Sequence, residues 1–321
     1  MDAVALSHPT GRDGRIEIRG LRHVYKGGTV ALDGVDLSFG TGLFGLLGPN
    51  GAGKSTLMKI LCTLIVPTEG QVTVDGCDVV ADRDTVRANL GYLPQEFGAW
   101  RLQRVEEALD TLALLAGVMS KSERRQRVQK VLVDVGLDKV ADRKIKKLSG
   151  GMLRRLGVAQ ALVHDPKIIV VDEPTVGLDP EERLRFRKVM ADLSHERTIV
   201  LSTHIVSDLG SSCNDLALID TGKIVFRGSP TELTAEAKDR VFEIDIEPGA
   251  GADGGAGYEV VSTTRVDGKL RMRAVSTTGA LPEGARPVPE PSLEQVYMAF
   301  MAARGRADAA VSDNLGEEET S

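Results

Sequence analysis

Cysteine is scarce in this sequence and long apolar runs are absent, and each shortage excludes something. Three cysteines, Cys62, Cys77 and Cys213, are spread over 321 residues. They form no C-x-x-C pair and no metal spacing, so they read as small core residues in a reducing, cytoplasmic compartment. No window approaches the roughly 18 apolar residues that mark a membrane span. The longest uncharged stretch, residues 37–53, is broken by glycines and a Pro-Asn pair. The opening MDAVALSHPTGRDGR lacks an apolar h-region, so no secretory signal is read there. Positive charge is not in excess: 40 Lys and Arg stand against 46 Asp and Glu, a net −6. That balance argues against a nucleic-acid interface built on phosphates. What remains is a globular composition, 42% hydrophobic and 27% charged, with a length that points to two domains or one large α/β domain with an appendage.

From about Arg15 to Leu233 strand-like and helix-like segments alternate. IEIRG, VDLSF and LFGLL read as short strands, the last running into a glycine loop. The apolar period from Ser55 to Val66 predicts a helix that Pro67 stops. QVTVDG alternates with period two and ends in Asp-Gly; KIIVVDEP and TIVLST read as strands buried on both faces. This alternation favours a mainly parallel sheet flanked by helices. Residues 101–147 are helical in pattern, as expected of a subdomain inserted into the sheet. Residues 121–155 hold 12 Lys and Arg against 4 Asp and Glu. A solvated helical face is the expectation there, ahead of a partner-binding patch. Beyond Leu233 the composition shifts. A strand is expected near residues 240–247, a flexible glycine loop at 249–257, and a hairpin turning at Asp267-Gly268 between residues 258 and 276. After a proline-rich connector, Ser292 and Gln295 form a capping box opening a final helix that carries Leu293, Val296, Tyr297 and Phe300 on one face.

The residues with the clearest chemistry are Gly48, Pro49, Asn50, Gly51, Ala52, Gly53, Lys54 and Ser55, which fit G-x-x-x-x-G-K-[ST] between a strand and a helix. Glycines let main-chain N–H groups wrap a phosphate, and the helix start adds positive partial charge. Lys54 is placed to reach the terminal phosphates of a nucleotide, and the Ser55 hydroxyl to ligate Mg²⁺. Asp172 and Glu173 end the apolar strand that begins at Ile168. Two adjacent carboxylates repel unless their tasks differ, so Asp172 is assigned to the metal and Glu173 to a water, as general base. Ser149, Gly150 and Gly151 open a helical run and offer a second anion-binding helix start. One nucleotide needs one phosphate loop, so this second cradle is expected to face a nucleotide held by another copy of the chain.

In their order, residues 48–56, Gln95 in YLPQEFG, LSGGM from Leu148, IIVVDEPT from Ile168, Gly177-Leu178-Asp179-Pro180 and Ser202-Thr203-His204 resemble the motifs of ATP-binding-cassette (ABC) nucleotide-binding domains. The fold this resemblance implies is an α/β P-loop NTPase: a mainly parallel sheet, an antiparallel β portion and an inserted helical subdomain, with a small C-terminal α+β appendage. Together with the shift in composition after Leu233, it divides the chain into a tail (1–14), an ABC ATPase domain (15–235, helical subdomain about 101–163), the appendage (236–303) and a disordered acidic tail (304–321). It also implies that Thr56 joins the nucleotide site and that Tyr25 stacks on adenine. Gln95 then touches Mg²⁺ and the attacking water and links the site to a membrane partner. Asp179 couples two sites across a dimer, and His204 contacts the γ-phosphate.

The implied activity is hydrolysis of ATP with Mg²⁺. The implied partners are a second copy of the chain, or a paralogue, and a separate integral-membrane permease, with the chain on the inner face of the cell membrane. SGGM followed by LRRLGVAQAL, and PSLEQVYMAF near the C-terminus, resemble the branch that pairs with ABC-2-type exporter permeases. Two features depart from the family pattern: Met152 stands where many members have Gln, and Gly98-Ala99-Trp100-Arg101 replaces a Pro- and Asn-containing turn. The other reading is a soluble ABC-type switch acting in regulation, on ribosomes or on DNA. A single cassette, an insertion too short for a long coiled coil, and the acidic charge weigh against it.

Overall fold

The structure is a computed structural model, and it describes residues 16–96, 98, 100–210, 212–246, 257–266 and 269–305. The expectations for residues 1–14, the glycine loop, the Asp267-Gly268 turn and the tail beyond Gly305 lie outside these. Two compact units emerge. The first takes in the described residues up to His204 together with Asp208–Arg227; the second takes in Ile205–Ser207 and the described residues from Gly228 on.

The first unit begins with β1 (Ile16–Val24) and β2 (Val30–Phe39), followed by β3 (Gly42–Leu47) and α1 (Lys54–Leu61). Next come β4 (Glu69–Val74), β5 (Cys77–Asp78), α2 (Arg83–Asn89) and β6 (Leu90–Leu93). Three helices without strands between them then form the insertion: α3 (Val105–Leu115), α4 (Lys121–Asp134) and α5 (Gly150–Leu162). The chain returns through β7 (Ile168–Asp172), α6 (Pro180–Ser194), β8 (Thr198–Thr203), β9 (Cys213–Asp220) and β10 (Lys223–Gly228).

Strands β2-β1-β4-β5 make an antiparallel sheet; β10-β9-β3-β8-β7-β6 make the second, in which β3 runs parallel to β8 and β9, and β7 parallel to β8 and β6. Every residue of β7 and β8 is buried, as their β-branched runs require. One apolar core joins both sheets to α1, with Ile16, Leu37, Phe44, Leu57, Met58 and Val170 among its members.

The helix expected through Val66 stops at Leu61. Thr63 turns into the left-handed region (φ 58°), and Arg87 holds it there, Nε donating to the Thr63 hydroxyl at 2.7 Å. A tertiary contact thus ends the helix before Pro67 can. The basic run also departs from a uniformly solvated face. Arg124 and Arg155 are buried, the former donating to Asp110 at 2.9 Å and to the carbonyls of Val118 and Met119.

The second unit holds α7 (Pro230–Ala237), β11 (Val241–Ile246), β12 (Tyr258–Val266), β13 (Lys269–Ser276), β14 (Arg286–Pro287) and α8 (Leu293–Ala302). Its antiparallel sheet runs β12-β13-β11-β14, with Phe242, Met272 and Ala274 at the centre of one apolar face. The opposite register positions carry ion pairs, Arg271 and Arg286 to Asp245 and Arg273 to Glu243. Ser292 and Gln295 form the expected capping box, and α8 is buried from Val296 to Ala302. Arg304 and Gly305 continue α8 as a turn, within the span expected to be tail.

Candidate active site

The parallel sheet gathers the site, because successive strands end at one edge and the chain leaves each for a loop. Parallel registers place Leu47 beside Thr203, Val171 beside Leu201, and Leu93 beside Val171. The residues that follow these strands include Gly48, His204, Glu173 and Gln95.

The loop after β3 requires glycine twice for different reasons. A Cβ on Gly48 would overlap the Ile219 carbonyl; Gly53, at φ 110°, would meet the Ala31 carbonyl and precedes α1 in a left-handed conformation. Gly51 also has positive φ, at 79°. The Gly222 N–H donates to Ala52 O at 2.9 Å, pinning the loop from outside. Lys54 folds back over it, Nζ donating to Gly48 O at 2.6 Å and Pro49 O at 3.1 Å.

That ammonium also faces Glu173, Nζ to Oε1 3.0 Å, with both side chains 5% exposed. The other Glu173 oxygen lies 2.8 Å from Nδ1 of His204. Burial alone would raise the Glu173 pKa, but the His204 hydrogen bond and the Lys54 charge outweigh it and hold the carboxyl below its ordinary value. Glu173 has φ 45°, a left-handed conformation rare outside glycine. Its N–H donates to both the carbonyl (3.1 Å) and the hydroxyl (3.2 Å) of Ser202. The kink separates the adjacent carboxylates: Asp172, 2% exposed, accepts the Ser202 hydroxyl hydrogen bond at Oδ1, while Glu173 turns to Lys54 and His204.

The remaining expected residues occupy other positions. The Tyr25 and Thr56 hydroxyls are 3.1 Å apart, and Tyr25 is 40% exposed. Gln95 is exposed beyond β6. Ser149 caps α5, its hydroxyl accepting from Met152 N–H at 3.2 Å; Gly150 is exposed and Gly151 buried. Among the described hydrogen bonds none joins residues 149–151 to residues 48–56. Asp179 caps α6, accepting from Glu182 N–H at 2.8 Å. A Cβ on Gly151 would overlap the Glu182 carboxylate, which pairs with the nearly buried Arg155 at 3.4 Å. The Asp179 helix and the 149–151 turn are therefore packed as one block. The sequence reading missed this Arg155–Glu182 pair, and it missed Asp208, which accepts from Thr175 and Thr203 beneath the site. Charged residues in a surface-like pattern gave no signal that they turn inward.

The described residues contain no cluster of three or more His, Cys, Asp or Glu fit to hold a metal alone. An all-oxygen set of hydroxyl (Ser55), carboxylate (Asp172) and amide (Gln95) suits Mg²⁺, which takes few protein ligands and completes its shell with phosphate and water. No described helix is long and apolar enough to cross a membrane.

A glycine loop between a parallel strand and a helix, with a buried lysine facing a strand-end glutamate, defines a P-loop nucleotide triphosphatase. Comparison with known proteins narrows the class. Residues 32–176 match the family model described as ABC transporter. The chain is 38% identical over 220 residues to the Nod factor export ATP-binding protein I of Cupriavidus metallidurans, covering 68% of this chain and 72% of that one. It is 36% identical over 233 residues to the daunorubicin/doxorubicin resistance ATP-binding protein DrrA of Streptomyces peucetius, covering 72% and 70%. Among solved structures it is similar to the dimeric post-hydrolysis ATP-binding cassette MJ0796 bound to ADP and Pi, at 28% identity and a TM-score of 0.60 over 67% of this chain and 98% of that one. The chain belongs to the ABC transporter ATP-binding proteins: it is an ATP-binding, ATP-hydrolysing subunit.

Proposed function

We propose that this subunit drives export by a separate ABC-2-type permease, to which it is bound on the inner face of the cell membrane. ATP is held between residues 48–56 of one copy and residues 149–151 of a second copy. The observation that carries this reading is the buried Lys54–Glu173–His204 chain at the mouth of the glycine loop. Lys54 is paired with the Glu173 carboxylate and donates to its own loop's carbonyls. A triphosphate competes for that ammonium, and Glu173 is then freed to take a proton from the attacking water while His204 keeps it oriented. Tyr25 stacks on the adenine, leaving its hydroxyl contact with Thr56. Ser55, Asp172 and Gln95 would hold Mg²⁺, which would supply charge neutralisation on the phosphates. Hydrolysis needs chiefly positioning and neutralised charge, and Lys54 and the opposing helix start both contribute.

Export and the ABC-2 pairing draw support from the names of the Nod factor and daunorubicin relatives, and from the SGGM turn. Exposed apolar side chains lie in the segment after Gln95, with Trp100, Leu102, Leu115 and Met119 between 45% and 75% exposed, and such surface is available to a protein partner. Isolation from native membranes tests the reading. The chain should stay bound through detergent to one integral-membrane protein that raises its phosphate release. A fully active chain confined to the soluble fraction contradicts it.

A further inference from the structure

Arg154, near the start of α5, is used by nothing described so far, yet its guanidinium is fully committed. Nε donates to Pro174 O at 2.7 Å; Nη1 donates to Pro94 O at 3.2 Å and Gln95 O at 2.7 Å; Nη2 donates to Asp172 O at 3.4 Å and Glu173 O at 2.7 Å. A guanidinium has five N–H groups in a fixed plane, and here five main-chain carbonyls accept them. Those carbonyls belong to two segments, the exits of β6 and β7, which carry Gln95 and Glu173. Burial pulls the Arg154 pKa down, and the Asp172 and Glu173 charges oppose that without outweighing it.

Two features make this more than packing. Glu173 sits in a left-handed conformation that is costly for a residue other than glycine and persists only when its surroundings over-determine it. Arg154 binds the carbonyl of that residue, opposite the Ser202 bonds to its N–H. Arg154 also stands five residues after Ser149, on the helix that the Ser149 cap opens.

We propose that Arg154 is a positioning residue: it ties the Ser149-Gly150-Gly151 turn to Gln95 and Glu173 of the same chain, so that α5, seated on a nucleotide held by a second copy, sets the orientation of its own chain's base. This rests on the two-copy reading above. Lysine cannot replace it, because an ammonium has three donors and no planar fork.

The test uses the full chain as Arg154→Lys and Arg154→Gln, measuring Mg-ATP affinity, kcat, KM and melting temperature. Affinity should hold, since the phosphate loop is untouched, while kcat falls about 10- to 100-fold with little change in KM, and lysine fails to rescue. Wild-type kcat in either folded variant overturns the proposal. So does parallel loss of affinity, kcat and melting temperature, the mark of a purely structural residue. Hydrogen exchange on the Glu173→Gln chain supplies a readout that needs no Arg154 variant: Mg-ATP should slow exchange at residues 95–96, 150–153, 173 and 175 together, and protection confined to the phosphate loop overturns the linkage. Turnover of Glu173→Gln separates the two readings. Full activity there removes the general base and this proposal with it, whereas inactivity there beside fully active Arg154 variants removes only the linkage.

Discussion

Two helix starts in this chain are built from small residues and offer N–H groups, yet they are finished differently. The loop at residues 48–55 closes on itself: its lysine is buried, bonded to its own carbonyls and neutralised by Glu173. The turn at 149–151 has no lysine, only a serine cap, and its first glycine is exposed with open space where a Cβ would be. One is a complete cradle with its own counter-charge. The other has no counter-charge of its own; Glu182, paired with Arg155, packs against its second glycine, and in the proposed shared site the turn supplies one half. Glycine content alone does not separate them; what each is bonded to does.

The comparison breaks most readily at Lys54. Lys54→Ala removes the only cation of the cradle, and phosphate release should fall about 10³-fold or more; normal release would undo the assignment of the loop. Gly53→Ala comes next. Its positive φ and the Ala31 carbonyl leave no room for a methyl group, so about 1–3 kcal/mol of stability should go, together with nucleotide binding, in a melt and an ATP titration.

Gly150→Ala sharpens the contrast. With nothing within 4 Å of the new methyl group, the melting temperature should hold or rise slightly, as Gly→Ala in a helix favours. Turnover should nonetheless fall about tenfold, because the methyl group meets a partner's nucleotide; unchanged kcat would mean that the turn faces only solvent. The smallest effect concerns thiols. Burial, with the Asp172 charge added, pushes the Cys62 thiol well up, and burial raises Cys213 to about 12. In the native chain at pH 8 a maleimide should label Cys77 ahead of both; rapid labelling of Cys62 would mean that the end of α1 opens.

Local sequence carried much of this site. The glycine loop, the buried β7 and β8 and the Ser292 cap announce themselves because spacing and side-chain shape decide them. Other features were silent for physical reasons. Strand β6, LGYL, is four residues with no β-branched side chain, and it is a strand because β7 lies beside it. The turn at Thr63 depends on Arg87, 24 residues away. Arg154 and Arg155 sit in a basic run whose composition is that of a solvated face. Only the fold reveals that one reads five carbonyls and the other two carbonyls and a carboxylate.

The most direct measurement is the mass in solution of the Glu173→Gln chain with Mg-ATP. Two facing half-sites require a nucleotide-dependent particle of twice 34.4 kDa that Gly150→Ala weakens. A variant that binds ATP yet stays at the single-chain mass, with its permease present or absent, would contradict the shared site.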